Sequence, residues 1–371
     1  MKIRKPLALG LVSGIALSAF AVAAPAFADP VSNSYALVGS DTLQDVSNAL
    51  VNGTNKTGSL VRVVSPNSTT LGSFDAFGSS MVQTKSNGPH FTRPSGSGAG
   101  VKALSASIQG NTDPNGASGA NLGGQVDIAR SSSNWGTNKD NDNGKLLYVP
   151  FGRDAIAYAY RASTSAEEAV LSHLTASQLN TIYAASSSTV ISGVTILPVL
   201  PQSNSGTRST FLKDIGSPTV GAGVRSDATV AENDATQLKN VGEIIPFSAA
   251  SWIAQSNGAA PSTLTTATGV KLGTPLSVPA YDGSGSALSP NATYYGDNTW
   301  GRETYLVVEY ARVDANDTKY DAGLAALVDP TKTKSLANFG TSPSSSGAVK
   351  SLFGFLKPSS TVPTRAYATL P

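Results

Sequence analysis

Gly96-Ser97-Gly98-Ala99-Gly100-Val101-Lys102 runs from a polar, glycine-rich turn straight into a helical face. Val101, Leu104 and Ile108 follow at the spacing of one buried stripe, which predicts a helix opening at the glycines. Upstream, Tyr35 to Val38 reads as a strand and Gly39-Ser40-Asp41-Thr42 as its turn, with Leu43, Val46, Ala49 and Leu50 on the next helix. Downstream, Val126 to Ala129 is a short buried strand closed by Arg130-Ser131-Ser132-Ser133. Val194 to Leu200 is another strand, leading through Pro201-Gln202-Ser203-Asn204 and Ser205-Gly206-Thr207-Arg208 into a helix with Phe211, Leu212 and Ile215. Strand, hydroxyl-rich turn and helix in alternation predict an α/β fold with mostly parallel sheets.

The remaining stretches fill in the order. Val61 to Val64 reads as a strand, and Leu146 to Tyr160 as a long β-rich stretch broken at Gly152-Arg153-Asp154. Leu174-Thr175-Ala176-Ser177 caps a helix through Leu179, Ile182 and Tyr183. Thr304 to Val313 is a late strand and Ala348 to Leu356 a closing helix. Gly110 to Gly124, Asn134 to Gly144 and Gly258 to Thr293 read as loops, rich in Gly, Asn, Ser and Pro.

At such a strand-to-helix turn, the first backbone N–H groups of the helix have no intrahelical partner and sit at the positive end of its dipole. Hydroxyls beside them add donors, so Ser40–Leu43, Ser97–Gly100 and Ser205–Arg208 are three ends able to converge on one small oxyanion. Taken singly, each Ser or Thr also reads as an ordinary helix cap.

Composition narrows the class. The chain has 371 residues, 40% hydrophobic and only 13% charged, with 36 Gly and 21 Pro. That is core enough to fold, with a surface solvated by neutral polar residues. Lys2, Arg4 and Lys5, the apolar run Leu7 to Val22 and the small-x-small site Ala26-Phe27-Ala28 read as a signal peptide over residues 1–28, cleaved before Asp29. Removing it takes three of 26 basic residues against 24 acidic ones, so no nucleic-acid partner is implied. With no cysteine, there is no disulfide, thiol chemistry or lipid-modified Cys. The expected product is secreted or periplasmic, without a membrane anchor.

Four loops, in order, resemble those of the phosphate-binding proteins of ABC uptake systems, within the type 2 periplasmic-binding-protein fold. Val38-Gly39-Ser40-Asp41-Thr42-Leu43 resembles the first anion loop and Gly96–Lys102 the second, with Ser97 as the contact. Val126-Asp127-Ile128-Ala129-Arg130-Ser131-Ser132 stands at the third, and Gln202-Ser203-Asn204-Ser205-Gly206-Thr207 at the fourth. The resemblance implies two lobes, 29–152 plus 303–371 and 153–302, closing over phosphate or another small oxyanion for an ABC permease. Its ligand set would be Ser40, Thr42, Leu43, Ser97, Arg130 and Ser132 from one lobe and Ser205, Gly206, Thr207 and Arg208 from the other. The family's third-loop Asp is replaced by Ser132, and its fourth-loop Arg and Asp by Gln202 and Asn204. Arg130 and Arg208 stand next to the expected contacts and are candidate clamps.

Enzyme readings find little support. His90 and His173 are the two histidines, without a triad partner, a Gly-x-Ser-x-Gly elbow or a His-Glu-x-x-His motif. Asp140-Asn141-Asp142-Asn143-Gly144 lacks the twelfth-place Glu of a calcium loop and reads as a solvated turn. No catalytic residue, metal or cofactor is expected. Trp135, Trp252 and Trp300 read as packing residues, with stacking on a sugar as the alternative; Arg153 is a candidate cleft residue, with a hinge salt bridge to Asp154 as its alternative. The alternative function is a secreted surface or adhesive binding protein that keeps the fold but binds a different solute or none.

Overall fold

The structure is a computed structural model in which residues 35–66 and 70–368 are described; the signal-peptide reading lies outside them. The elements that position the cleft are β1 (Tyr35–Gly39), α1 (Gln44–Asn52), β2 (Leu71–Ser73), α2 (Ser97–Gln109), β3 (Ile128–Ser131) and β4 (Leu146–Arg161). After these come β5 (Val194–Pro198), α3 (Gly206–Asp214), β6 (Glu243–Ser248), α4 (Ala249–Ser256) and β7 (Gly301–Glu309). The sheet runs β2-β1-β3-β7-β4-β6-β5. Pairing is parallel for β1 with β2 and β3, and for β5 with β6, while β4 and β7 pair antiparallel with each other and their neighbours. The α/β class predicted by alternation is the one observed, with antiparallel pairing concentrated on the two long strands.

The buried side chains form three cores. One core is built from residues between Ala155 and Trp300, including Tyr158, Ile182, Phe211 and Ile244. Two further cores flank β1 and β7: Leu37, Val46 and Leu306, with Ala250 and Ala254, in one, and Val38, Leu104 and Val307 in the other. Alternate residues of β1 and β7 thus bury opposite faces, as a strand with helices on both sides requires.

Several expectations need correction. β4 is one continuous strand of 16 residues, unbroken at Gly152-Arg153-Asp154. The irregularity lies in its partner, where the register shifts between Thr304 and Tyr305. Val61 to Val64 is not a strand: Val61 makes an isolated bridge to Thr54, and β2 takes the place beside β1. The Gly258–Thr293 stretch is not all loop, since Val270–Gly273 pairs with β4 and Tyr281–Asp282 with Ser289–Pro290. Arg153 pairs with Glu303 at 2.9 Å rather than with Asp154. Trp252 and Trp300 are buried, and Trp135 packs edge-on against Tyr148 and Tyr305.

Candidate functional site

The turns after β1, before α2, after β3 and before α3 meet one another. α1 and α2 begin at Leu43 and Gly96 with no side-chain cap, which leaves their hydroxyls free for other partners. Of these three helix starts, α3 alone keeps its cap, with Ser205 Oγ accepting from Arg208 N at 3.0 Å.

The freed hydroxyls converge. Ser40 Oγ donates to Ser132 Oγ at 3.1 Å, Ser97 Oγ lies 3.1 Å from Ser132 Oγ, and Ser132 N donates to Ser97 Oγ at 2.9 Å. Thr42 and Thr207 bring their hydroxyls within 3.3 Å from opposite sides. Gly206 packs so closely on the Ser97 and Ser132 hydroxyls that a Cβ there would overlap both. A second tight approach puts Gly96, at φ 99°, against the Asn204 carbonyl, and Gly98 N donates to that carbonyl at 3.1 Å. Ser40, Thr42, Ser97, Ser132, Ser205 and Thr207 are all buried.

The charge at this cluster comes from a residue that no local motif marks. Arg302, on β7, donates through Nη2 to Thr207 Oγ1 at 3.0 Å and Thr42 Oγ1 at 3.3 Å, and through Nη1 to the Ser132 carbonyl at 3.1 Å. It therefore joins both sides. Asp154, its register partner on β4, accepts from Arg302 Nε and Nη2 at 3.0 and 2.8 Å. The other Asp154 oxygen accepts from Ser248 Oγ and Ala250 N. Both carboxylate oxygens are thus occupied, which is what lets a buried ion pair persist.

Two further residues complete the site. Asn233, held at φ 56°, donates to Asp41 Oδ2 at 2.9 Å and Thr42 Oγ1 at 3.2 Å. Glu232 accepts from the Ser205 hydroxyl. Burial pushes the Glu232 carboxyl up, against the Ser205 hydroxyl, the Arg302 charge and the backbone N–H groups of Thr207 and Thr42. Asp41 is pushed well up by burial first, then by Glu232 and Asp45.

Both candidate clamps turn elsewhere. Arg130 directs its guanidinium to the Ser40 carbonyl, Ser73 Oγ and the Phe74 carbonyl at 3.2, 2.6 and 2.6 Å, and burial lowers its pKa to about 10. It braces the first loop from behind. Arg208 bonds the Pro201 carbonyl and Ser226 Oγ, on the wall of a 400 Å³ pocket shared with Gln202 and Asn204. Leu43 is buried in the core and offers only its backbone.

The arrangement concentrates donors in one place: hydroxyls, helix-end N–H groups and one guanidinium. His90 and His173 are exposed. Among the described residues, no group of three or more His, Asp or Glu is placed to hold a metal ion, and no helix is long and apolar enough to cross a membrane.

Residues 60–344 match the family model described as a PBP superfamily domain. The chain belongs to the PBP superfamily. Its α/β fold is that of the type 2 members, at low sequence identity to solved structures. An ABC-type phosphate transport receptor from Vibrio cholerae is 15% identical, with 88% of this chain and 100% of that one covered and a TM-score of 0.49. A high-affinity periplasmic phosphate-binding protein, PfluDING, solved with phosphate bound, is 17% identical, covering 87% of this chain and 90% of that one, with a TM-score of 0.46. A phosphate-binding protein from Stenotrophomonas maltophilia is 13% identical over 75% of this chain and 79% of that one, with a TM-score of 0.38. No curated protein matches this PBP-superfamily chain in sequence.

Proposed function

We propose that this chain is an exported solute-binding protein, not an enzyme, that captures a small oxyanion, phosphate first, for delivery to an ABC permease. One observation carries the reading: hydroxyls from Ser40, Thr42, Ser97, Ser132 and Thr207 gather in one buried cluster with Arg302 donating across it. A concentration of donors facing each other is what a dehydrated oxyanion needs, since each of its oxygens accepts two or three hydrogen bonds. Superfamily membership and the ordered resemblance of four loops support the same reading. The closing units would be 29–152 plus 303–371 and 153–302, with β4 and β7 as the crossings. Arg302 takes the clamp role first assigned to Arg130 and Arg208.

The test is calorimetric titration of the chain beginning at Asp29, freed of bound ligand by partial unfolding and refolding, with phosphate and then sulfate. The reading expects heat with phosphate. Heat with neither anion overturns it in favour of a surface or adhesive binder that keeps the fold.

A further inference from the structure

Glu232 stands out among the buried charges. It lies in the turn before the short 3-10 helix Ala235–Gln237 and is 2% exposed. Oε2 accepts from Ser205, the cap of α3. The backbone N–H groups of Thr207 and Thr42, at the starts of α3 and α1, face the same carboxylate. Oε1 is buried and has no hydrogen-bond partner. The protein thus places its own carboxylate, an oxyanion on a short tether, against donors that an incoming oxyanion requires.

We propose that Glu232 is a built-in counter-ligand, whose carboxylate holds the helix-end donors of the cleft and must be displaced or protonated before a solute oxyanion takes them. The proposal rests on the oxyanion reading above. Its physical basis is that two anions side by side in a buried site cannot both stay ionised without strong mutual penalty. The groups facing Glu232 do not relieve this. Arg302, from β7, is already bound to Asp154 of β4. Asp41, from the first loop, is a second carboxyl beside it, itself pushed up by burial and by Glu232, with Asp45 of α1 and Arg130 of β3 behind it. Oxyanion affinity therefore rises as the pH falls, because protonating Glu232 removes the competing charge and turns an acceptor into a donor.

Phosphate and sulfate are titrated into wild type and E232Q between about pH 5 and pH 8; sulfate does not change protonation there, so it isolates the protein's own proton. The expected result is that E232Q binds both anions about tenfold tighter than wild type near neutral pH. The wild-type rise in sulfate affinity on acidification should flatten in E232Q. Unchanged affinity in E232Q overturns the proposal. So does weaker phosphate binding with sulfate unaffected, which would make Glu232 an acceptor for the phosphate proton. If E232Q fails to fold, the wild-type series decides, since sulfate affinity that does not rise on acidification also overturns it. Absence of binding by both proteins at every pH defeats the oxyanion reading itself, and the counter-ligand with it.

Discussion

Two charged clusters in this molecule are built on opposite principles. On the first side, Asp127 accepts from Lys85 at 2.5 Å, Arg312 at 2.6 Å and the Ala36 N–H at 2.8 Å. Arg312 also donates to Asp321 at 2.7 Å, which accepts from Tyr35 at 2.6 Å. This network lines a cavity of about 680 Å³, yet its ions neutralise each other. In the cleft, the hydroxyl cluster bonds largely to itself, and Glu232 keeps an unpartnered oxygen. The adjoining pocket of about 460 Å³ reaches Ser132 and Arg302. Volume alone would choose the wrong cluster. A satisfied network holds a fold together, whereas donors and acceptors bonded only to each other are ready to exchange partners.

The contrast can be broken most forcefully at Asp154. Asp154→Ala should remove about 3–5 kcal/mol of stability, because Arg302 is left as an unpaired buried charge, and should abolish oxyanion binding; urea unfolding and titration read the two effects. Asp127→Ala should cost about 2–3 kcal/mol by leaving Lys85 and Arg312 facing each other, with oxyanion affinity unchanged. A loss of affinity there would erase the distinction between the clusters. Gly206→Ala should weaken oxyanion binding about tenfold or more, since the added methyl overlaps the Ser97 and Ser132 hydroxyls and overpacking costs about 1–3 kcal/mol. Thr207→Val sharpens the comparison least, with an expected loss of about 1 kcal/mol in binding for one missing hydroxyl.

What the sequence revealed follows the reach of its signals. The turns holding Ser40, Thr42, Ser97, Gly206 and Thr207 were legible because a glycine next to a hydroxyl before a helical stripe is a local pattern, whereas Ser132 was singled out only by the resemblance of its loop. Arg302 and Asp154 were not legible, because they are 148 positions apart and meet only through the β4–β7 register. Glu232 and Asn233 sit in a turn whose composition resembles any solvated loop, and only tertiary packing buries them. Arg208 shows why adjacency misleads, since one residue along a helix turns the side chain about 100° away from Thr207. Arg130 sits beneath the first loop, bonded to the Ser40 carbonyl.

The fold as a whole was easier to read than its crossings. β1, α1, α2 and α3 came from periodicity, but Gly152-Arg153-Asp154 looked like a break and is continuous strand. Small and charged residues there serve cross-strand pairs, Arg153 with Glu303 and Asp154 with Arg302, so turn-like composition concealed a ladder.

That ladder also pins both ends of one long excursion of the chain. Ala155 and Gly301 are direct partners across β4 and β7, so the chain leaves for its second core and returns from it about 5 Å apart. The two ends of the 155–300 stretch therefore stay side by side, while its own Ala250, Ala254 and Ala260 pack back into the core of Leu37 and Leu306.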